Sequence, residues 1–204
     1  PIRRGEGIWL EDFDGKRYLD AISSWWVNLF GHAHPDLNAA LRQQADTLEH
    51  VILAGFTHEA IVELSERLVA LAPPGLSKCF YADNGSSGIE VALKMSLHAW
   101  RNLGQPGKTR FIALENSYHG ETIGALGVTD IPLFSETYRP MLQPPLRAPS
   151  PANRQPEEDC VSAARRAMAA MEQLLEQHAH EVAAVIVEPL IQGAAGMRMY
   201  HSIY

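Results

Sequence analysis

The chain has 204 residues, of which 46% are hydrophobic and 20% are charged, a composition typical of globular domains. A formal net charge of -7, with no cluster of lysine and arginine, argues against nucleic acid or an anionic membrane surface as a partner. No apolar run approaches the roughly 18 residues that a membrane span requires. The two cysteines, Cys79 and Cys160, allow no disulfide framework, so a reducing, cytoplasmic setting is expected.

The first residues predict a small antiparallel unit. Apolar and polar residues alternate on both sides of Asp14-Gly15, a dipeptide that is typical of tight hairpin turns. Residues 8–12 and 17–21 are therefore predicted to pair as strands. A loop that contains Trp25 and Trp26 follows them.

Two helices are predicted next. Pro35 opens the first, which runs to about residue 49 with leucine and alanine on one face. The second covers residues 59–71 and ends before Pro73-Pro74-Gly75, which cannot continue a helix.

Beyond residue 75, apolar strands alternate with helices. This alternation predicts an α/β fold with a mostly parallel sheet that is covered by helices on both faces. In chain order, the predicted elements are strand 78–82, helix 88–101, strand 110–115, helix 120–127, helix 157–180 and strand 182–190. Six prolines lie between residues 140 and 156. Because proline neither donates to a sheet nor continues a helix, this stretch is predicted to be a long surface excursion within one domain.

The segment ADNGSSGIEVALKM, residues 82–95, takes the chain from the first of these strands into a helix. Gly85 and Gly88 would let the backbone approach a phosphate, Ser86 and Ser87 would add hydroxyl donors, and a helix beginning near Gly88 would favour an anion. The segment lacks the Gly-Lys-Ser/Thr of a P-loop and the G-x-S-x-G of a nucleophile elbow. A phosphate cradle and a simple serine-capped helix start both remain open on these residues alone. Glu90 and Lys94, one turn apart, are interpreted as a solvated pair.

Two further strand ends present candidate ligand groups. Tyr118, His119 and Gly120 follow the strand 110–115, where an aromatic ring could stack on a planar ligand, and Glu188 lies at the end of strand 182–190. Taken singly, Tyr118 could be a packing aromatic, Glu188 a loop-ordering carboxylate and His119 either structural or functional. Three strand ends with such groups together predict a cofactor site.

The other histidines predict no metal site. His32 and His34 are two residues apart in a loop, and His178 and His180 lie at a helix end. Neither spacing is a recognised metal pair, and no cysteine partner lies nearby in sequence.

With these motifs in order, the chain resembles the class III pyridoxal-phosphate-dependent aminotransferases. The resemblance rests on LEDFDGKRYLD, YADNGSSGIEVALKM, NSYHGET and VIVEPLIQGAAGM, and it covers essentially all 204 residues. It implies a fold-type I, aspartate aminotransferase-like architecture, with residues 1–50 in the small domain and 51–204 forming the first part of the large cofactor-binding domain. It also implies pyridoxal 5'-phosphate as cofactor, which Gly85 and Ser86 would contact at the phosphate, Tyr118 would stack on, and Glu188 would help to orient.

A narrower resemblance, in SSWW, EHVILAGFTHE and GMRMYH, is to members of this family that act in biotin biosynthesis. It implies S-adenosylmethionine as amino donor and 8-amino-7-oxononanoate as acceptor. Trp25 and Trp26, together with Tyr118, would line the substrate pocket, although packing of the two indoles in the small unit is the alternative. The resemblance further implies a homodimer, with residues 53–58 as the candidate segment that reaches the partner.

The chain departs from the family pattern in two respects. None of its four lysines, Lys16, Lys78, Lys94 and Lys108, matches the family's Schiff-base lysine. The chain is therefore expected to correspond to the first half of a longer enzyme and to be inactive alone. Ala195 stands where glycine is expected, and its methyl group fits there unless the position requires a positive φ. The remaining alternatives are another class III enzyme that acts on an ω-amino acid or diamine, and a non-catalytic remnant that dimerises or binds a phosphate ligand.

Overall fold

A computed structural model describes residues 1–204, which form two compact units, Pro1–Cys79 and Phe80–Tyr204. The first unit begins with a three-stranded antiparallel sheet of β1 (Ile2–Glu6), β2 (Trp9–Asp12) and β3 (Arg17–Leu19). The predicted hairpin is confirmed, with Leu10 opposite Tyr18. The Asp12 carboxylate fixes its turn by accepting the backbone N–H groups of Asp14 and Lys16. A further strand, β1, was not predicted and pairs with the other side of β2.

Three helical segments follow in this unit. They are α1 (Ser23–Trp26), a single turn whose residues all have positive φ, α2 (Pro35–Thr47) and α3 (Glu59–Leu71). Both predicted helices are confirmed, and the His58 side chain caps α3 by accepting the N–H of Ile61 at 3.4 Å. No residue of this unit is buried, so the apolar faces of α2 and α3 are only partly covered within it.

The second unit is built on a parallel sheet in the order β5 (Leu146–Ala148), β4 (Arg110–Leu114) and β6 (Val182–Ile186). Side chains alternate along β4. Ile112 and Leu114 pack towards α7 (Cys160–His178), whereas Phe111 and Ala113 pack towards α4 (Gly85–Asn102) and α5 (Ile123–Val128). This arrangement confirms the predicted α/β fold, with a mostly parallel sheet between helices on both faces and a small antiparallel sheet at the N-terminus.

Between α5 and β5 lie the short helix α6 (Pro132–Ser135) and a 3₁₀ helix, η1 (Glu136–Met141), and a small hairpin of β7 (Ile191–Gln192) and β8 (Arg198–Met199) follows β6. The interpretation of the proline-rich stretch as a surface excursion is wrong in part. Residues 146–148 form the edge strand β5, and Ala148, Ser150 and Pro151 are fully buried. The prolines are compatible with this strand because they flank β5 and do not lie inside it. The N–H groups of the strand can therefore pair.

The strand predicted at residues 78–82 is also wrong, since no strand forms there. A β-strand exists only when a neighbour takes its hydrogen bonds, and none of the strands in this chain pairs with this segment. The assignment of residues 1–50 and 51–204 to the small and large domains of an enzyme remains a prediction. None of the helices combines the length and the apolar character that a bilayer crossing requires.

Candidate functional site

Helix α4 begins three residues earlier than predicted, so Gly85 and Ser86 lie in its first turn. Its N-cap is Asn84 and not a serine. The side-chain oxygen of Asn84 accepts the N–H of Ser87 at 2.8 Å. The N–H of Gly88 donates to the Asn84 carbonyl, which leaves Gly85 and Ser86 with N–H groups that precede the intrahelical bonds. A Cβ on Gly85 would meet no atom within 4 Å, so the backbone there is open to a ligand. These features together fit an anion at the positive end of an 18-residue helix.

Ser86 connects this helix start to the turn after β4. Its hydroxyl accepts the N–H of Glu121 at 3.2 Å. Gly120 lies directly against it, since a Cβ at Gly120 would stand 2.3 Å from the Ser86 Oγ, and the φ of Gly120 is +127°. Only glycine fits this close approach with this backbone conformation.

Glu188 connects the turn after β4 to the segment after β6. One carboxylate oxygen accepts the N–H of Tyr118 and the other accepts the N–H of Gly193, each at 2.9 Å. The Tyr200 hydroxyl also donates to the Glu188 backbone carbonyl. Glu188 therefore orders both segments through backbone contacts, which leaves the ring of Tyr118 unobstructed by this carboxylate.

The Tyr118 ring is oriented by Phe134 and Glu121. It lies 5.2 Å from the ring of Phe134 at a tilt of 59°, and its hydroxyl donates to Glu121 at 2.9 Å. Burial, and next the hydrogen bond to the Glu121 carboxylate, raise the pKa of Tyr118, so the phenol stays protonated.

Arg147 on β5 supports these turns, although it was not among the residues predicted for the site. Its guanidinium donates to the carbonyls of Leu114, Val128 and Thr129 at 3.3, 3.1 and 2.6 Å. Burial lowers the pKa of Arg147, and the Asp130 carboxylate, 3.7 Å away, opposes that effect. No sequence signal marks this residue, because its acceptors become neighbours only when β4 and β5 pair.

His119 lies beside this cation. Its Nε2 is buried with no hydrogen-bond partner, and its backbone N–H donates to the Thr129 hydroxyl at 3.0 Å. Burial, and next the charge of Arg147, lower the pKa of His119 to about 4. The imidazole is therefore neutral at physiological pH, which indicates a packing group and not a cation.

Gln192 and Glu90 also proved to be structural residues of the site. Gln192 is fully buried, donates to the Glu115 carbonyl at 2.8 Å and accepts from the Ser150 hydroxyl. The interpretation of Glu90 as part of a solvated pair is wrong, because its carboxylate accepts the N–H groups of Gly124 and Ala125 at 2.6 and 3.2 Å, at the start of α5. Burial raises the pKa of Glu90, but hydrogen bonds from Thr122, Ala125 and Gly124 outweigh it, so the net shift is downward.

Trp25 and Trp26 belong to the N-terminal unit. Their rings stack with centroids 6.2 Å apart and planes 18° apart, and 74% and 60% of their surfaces are exposed. They are therefore not packed into a core of that unit, which was the alternative to a pocket lining.

The histidines outside this site and Ala195 have the following surroundings. His32 bonds Asp20 and His178 bonds Glu181, and no group of three or more His, Cys, Asp or Glu side chains is placed to hold a metal ion. Ala195 has no positive φ, so its methyl group is accommodated without backbone strain.

The fold and these connected strand ends define the class of protein, and comparison with known families agrees. The profile of the family "Aminotransferase class-III" matches residues 1–204, and the chain belongs to this family. Two relatives, both named adenosylmethionine-8-amino-7-oxononanoate aminotransferase, come from Helicobacter pylori and Geobacter sulfurreducens. They are 47% and 45% identical over 100% and 96% of the chain. The chain spans 45% and 44% of their lengths.

Solved structures give the same family. The adenosylmethionine-8-amino-7-oxononanoate aminotransferase of Methanocaldococcus jannaschii matches with a TM-score of 0.88 and 38% identity, over 99% of this chain and 44% of that one. An omega transaminase from Pseudomonas jessenii in complex with PMP matches with a TM-score of 0.91 and 31% identity, over 100% of this chain and 46% of that one. The family and this complex imply pyridoxal phosphate as the cofactor. The N–H groups of Gly85 and Ser86 in the first turn of α4 and the half-buried ring of Tyr118 suit its phosphate and its planar ring.

Proposed function

We propose that the chain is part of an aminotransferase of biotin biosynthesis, which moves the amino group of S-adenosylmethionine to 8-amino-7-oxononanoate and forms 7,8-diaminononanoate. The names of its relatives support this reaction. The observation that carries the proposal is the linkage of three element ends: Ser86 bonds the segment that contains Tyr118, and Tyr118 bonds Glu188. Four residues proposed to hold the cofactor thereby form one connected group.

In this proposal the N–H groups of Gly85 and Ser86, with the Ser86 hydroxyl, bind the cofactor phosphate at the start of α4. Tyr118 stacks on the ring, and Glu188 fixes the position of Tyr118 through its backbone. When bound, pyridoxal phosphate supplies the electron sink for the amino transfer. His119, whose pKa is lowered to about 4, is neutral at physiological pH and adds no charge of its own to this site.

Trp25 and Trp26 are proposed as substrate-contacting residues of the N-terminal unit, and Tyr118 is proposed separately as a substrate contact of the second unit. The exposed, stacked rings of the two tryptophans form an apolar surface that suits the hydrocarbon chain of an oxononanoate. A homodimer, with residues 53–58 reaching the partner, is part of the same proposal. In that segment Leu53 and Phe56 are 48% and 65% exposed, as a contact surface requires.

We further propose that residues 1–204 alone are inactive, because none of the four lysines matches the Schiff-base lysine that the family resemblance implies. Lys108 donates to the carbonyls of Ala179 and Val182, and Lys16 lies over the ring of Tyr18. Lys94 lies in the third turn of α4. Cofactor trapped covalently on the isolated chain by borohydride would contradict this proposal.

A second candidate is a class III enzyme that acts on an ω-amino acid or a diamine, because the omega transaminase matches with the higher TM-score of the two structures. The test uses the full-length gene product loaded with pyridoxal phosphate. The biotin-pathway proposal predicts 7,8-diaminononanoate from S-adenosylmethionine and 8-amino-7-oxononanoate. Turnover of ω-amines with pyruvate, and none with the oxononanoate, would establish the second candidate instead.

A further inference from the structure

The turn that carries Trp25 and Trp26 has an unfavourable backbone. Four consecutive residues without a glycine have positive φ: 49° at Ser23, 47° at Ser24, 72° at Trp25 and 69° at Trp26. L-residues rarely adopt this left-handed conformation, and a run of four persists only where surrounding contacts impose it. The indoles themselves are mostly exposed, so their packing within this unit cannot impose it.

Asp20, at the end of β3, supplies such contacts. One carboxylate oxygen accepts the backbone N–H of Ser24 at 2.9 Å, and the other accepts the Ser24 hydroxyl at 2.7 Å. The Asp20 side chain is only 6% exposed, so water does not replace these bonds easily. The hydrogen bonds from Ser24, backbone first, and then that from His32 lower the pKa of Asp20, which keeps it ionised.

His32 holds the other side of this carboxylate. Its Nε2 lies 2.7 Å from the Asp20 oxygen, and its Nδ1 lies 3.2 Å from the Asn28 amide. The position of His32 is in turn fixed by the sheet. Its backbone exchanges two hydrogen bonds with Gly7, and a Cβ on Gly5 would collide with its ring at 2.7 Å. A chain of direct contacts therefore runs from the β1–β2 connection through His32 and Asp20 to Ser24.

We propose that Asp20 and His32 are positioning residues that hold the left-handed turn and thereby set the placement of Trp25 and Trp26. Their effect on the substrate rests on the proposed function, which assigns the indoles to the pocket. Their effect on the turn does not rest on the proposed function, because the contacts that link Gly7, His32, Asp20 and Ser24 all lie within the N-terminal unit. The pair acts through the backbone and touches no reacting atom.

The test uses the full-length, cofactor-loaded protein and two readouts. The first is the circular dichroism that arises from coupling of the two stacked indoles, obtained as the difference between the protein and its Trp25→Phe variant. Asp20→Ala and His32→Ala are expected to abolish this signal, and Asp20→Asn, which retains an acceptor for the Ser24 N–H, to reduce it. Asp14→Ala, which removes an exposed carboxylate of the hairpin turn, is the matched control and is expected to retain the signal.

The second readout separates KM from kcat for the acceptor. Asp20→Ala is expected to raise the KM about tenfold with kcat changed less than about twofold, because it removes binding that is uniform along the reaction. Combining it with Trp25→Ala is expected to add little, since both changes remove the same placed indole. If Asp20→Ala does not fold, Ser24→Ala removes only the hydroxyl contact and is expected to weaken the dichroic signal.

The outcomes distinguish this inference from the proposed function. An unchanged indole signal in both Asp20→Ala and Ser24→Ala overturns the inference. If Asp20→Ala abolishes the signal while Trp25→Ala leaves the acceptor KM unchanged, the positioning role of Asp20 and His32 is supported. The assignment of the tryptophans to the substrate pocket is then contradicted.

Discussion

The backbone N–H of Tyr118 donates a 2.9 Å hydrogen bond to Oε2 of Glu188, which joins the segment after β4 to the segment after β6. The same carboxylate accepts the N–H of Gly193 through its other oxygen. One side chain thus satisfies two backbone donors that are distant in sequence.

Replacing Glu188 by alanine is expected to weaken pyridoxal phosphate binding about tenfold, because two partly buried N–H groups lose their acceptor and Tyr118 loses its fixed position. Glu188→Gln keeps one acceptor oxygen and is expected to lose less of the affinity for pyridoxal phosphate. The dissociation constant of the cofactor from the full-length protein is the measurement. Glu176→Ala, at an exposed position of α7, is the control, and equal affinities for both alanine variants would contradict the assignment.

Gly120→Ala is expected to destabilise the protein by about 2–4 kcal/mol. The new Cβ would stand 2.3 Å from the Ser86 Oγ, on a backbone with φ of +127°. Gly107→Ala is the matched control, because its Cβ meets no atom within 4 Å and its φ is not positive. The midpoints of urea unfolding compare the two variants, and similar midpoints would show that the contact between Gly120 and Ser86 is not tight.

The contacts of Glu188 and Gly120 show why the fold was largely predictable from the sequence, whereas the candidate site was predictable only in part. The hairpin, α2, α3 and α7 follow from periodicity and turn residues that are local in sequence. Strand 78–82 was predicted wrongly and β5 was missed, because pairing with a distant neighbour decides whether a segment becomes a strand. The early start of α4 had a local signal, since Asn84 is a favoured N-cap residue.

The site residues divide in the same way. Gly85, Ser86, Tyr118 and Glu188 could be proposed from the sequence because each follows or begins a regular element. Arg147, Gln192 and Glu90 were not recognised as parts of the site, since their hydrogen-bond partners lie 18 to 77 residues away in sequence. Such contacts become visible only when the sheet is assembled.

His119 predicts a pH dependence of stability. Its pKa is lowered from 6.5 to about 4 in the folded chain, so the unfolded chain binds a proton more readily as the pH falls below 6.5. The free energy of unfolding is therefore expected to be unaffected by His119 above pH 6.5. It is expected to fall, by at most about 3 kcal/mol, as the pH decreases to 4. Urea unfolding of the full-length protein at several pH values measures this loss.

His119→Gln is expected to flatten that profile, because glutamine does not titrate. His98→Gln, at an exposed position of α4, removes a histidine without changing the site. The two variants should therefore differ below pH 6.5, and parallel profiles would contradict the burial of a neutral His119.

Arg147→Met is expected to lower the free energy of unfolding by about 3 kcal/mol, because the carbonyls of Leu114, Val128 and Thr129 lose a charged donor. Arg147→Lys is expected to restore little of it, since an ammonium group cannot reach acceptors spread along a planar guanidinium. Chemical denaturation compares both with Arg165→Met, an exposed arginine on α7. Equal effects at Arg147 and Arg165 would show that the network around β5 contributes nothing.

The most direct test of the proposed site is the position of the cofactor phosphate in a crystal structure of the full-length, pyridoxal-phosphate-loaded protein. The proposal predicts phosphate oxygens within hydrogen-bonding distance of the N–H groups of Gly85 and Ser86, with the cofactor ring against Tyr118. A phosphate bound elsewhere, with the first turn of α4 facing only solvent, would contradict it.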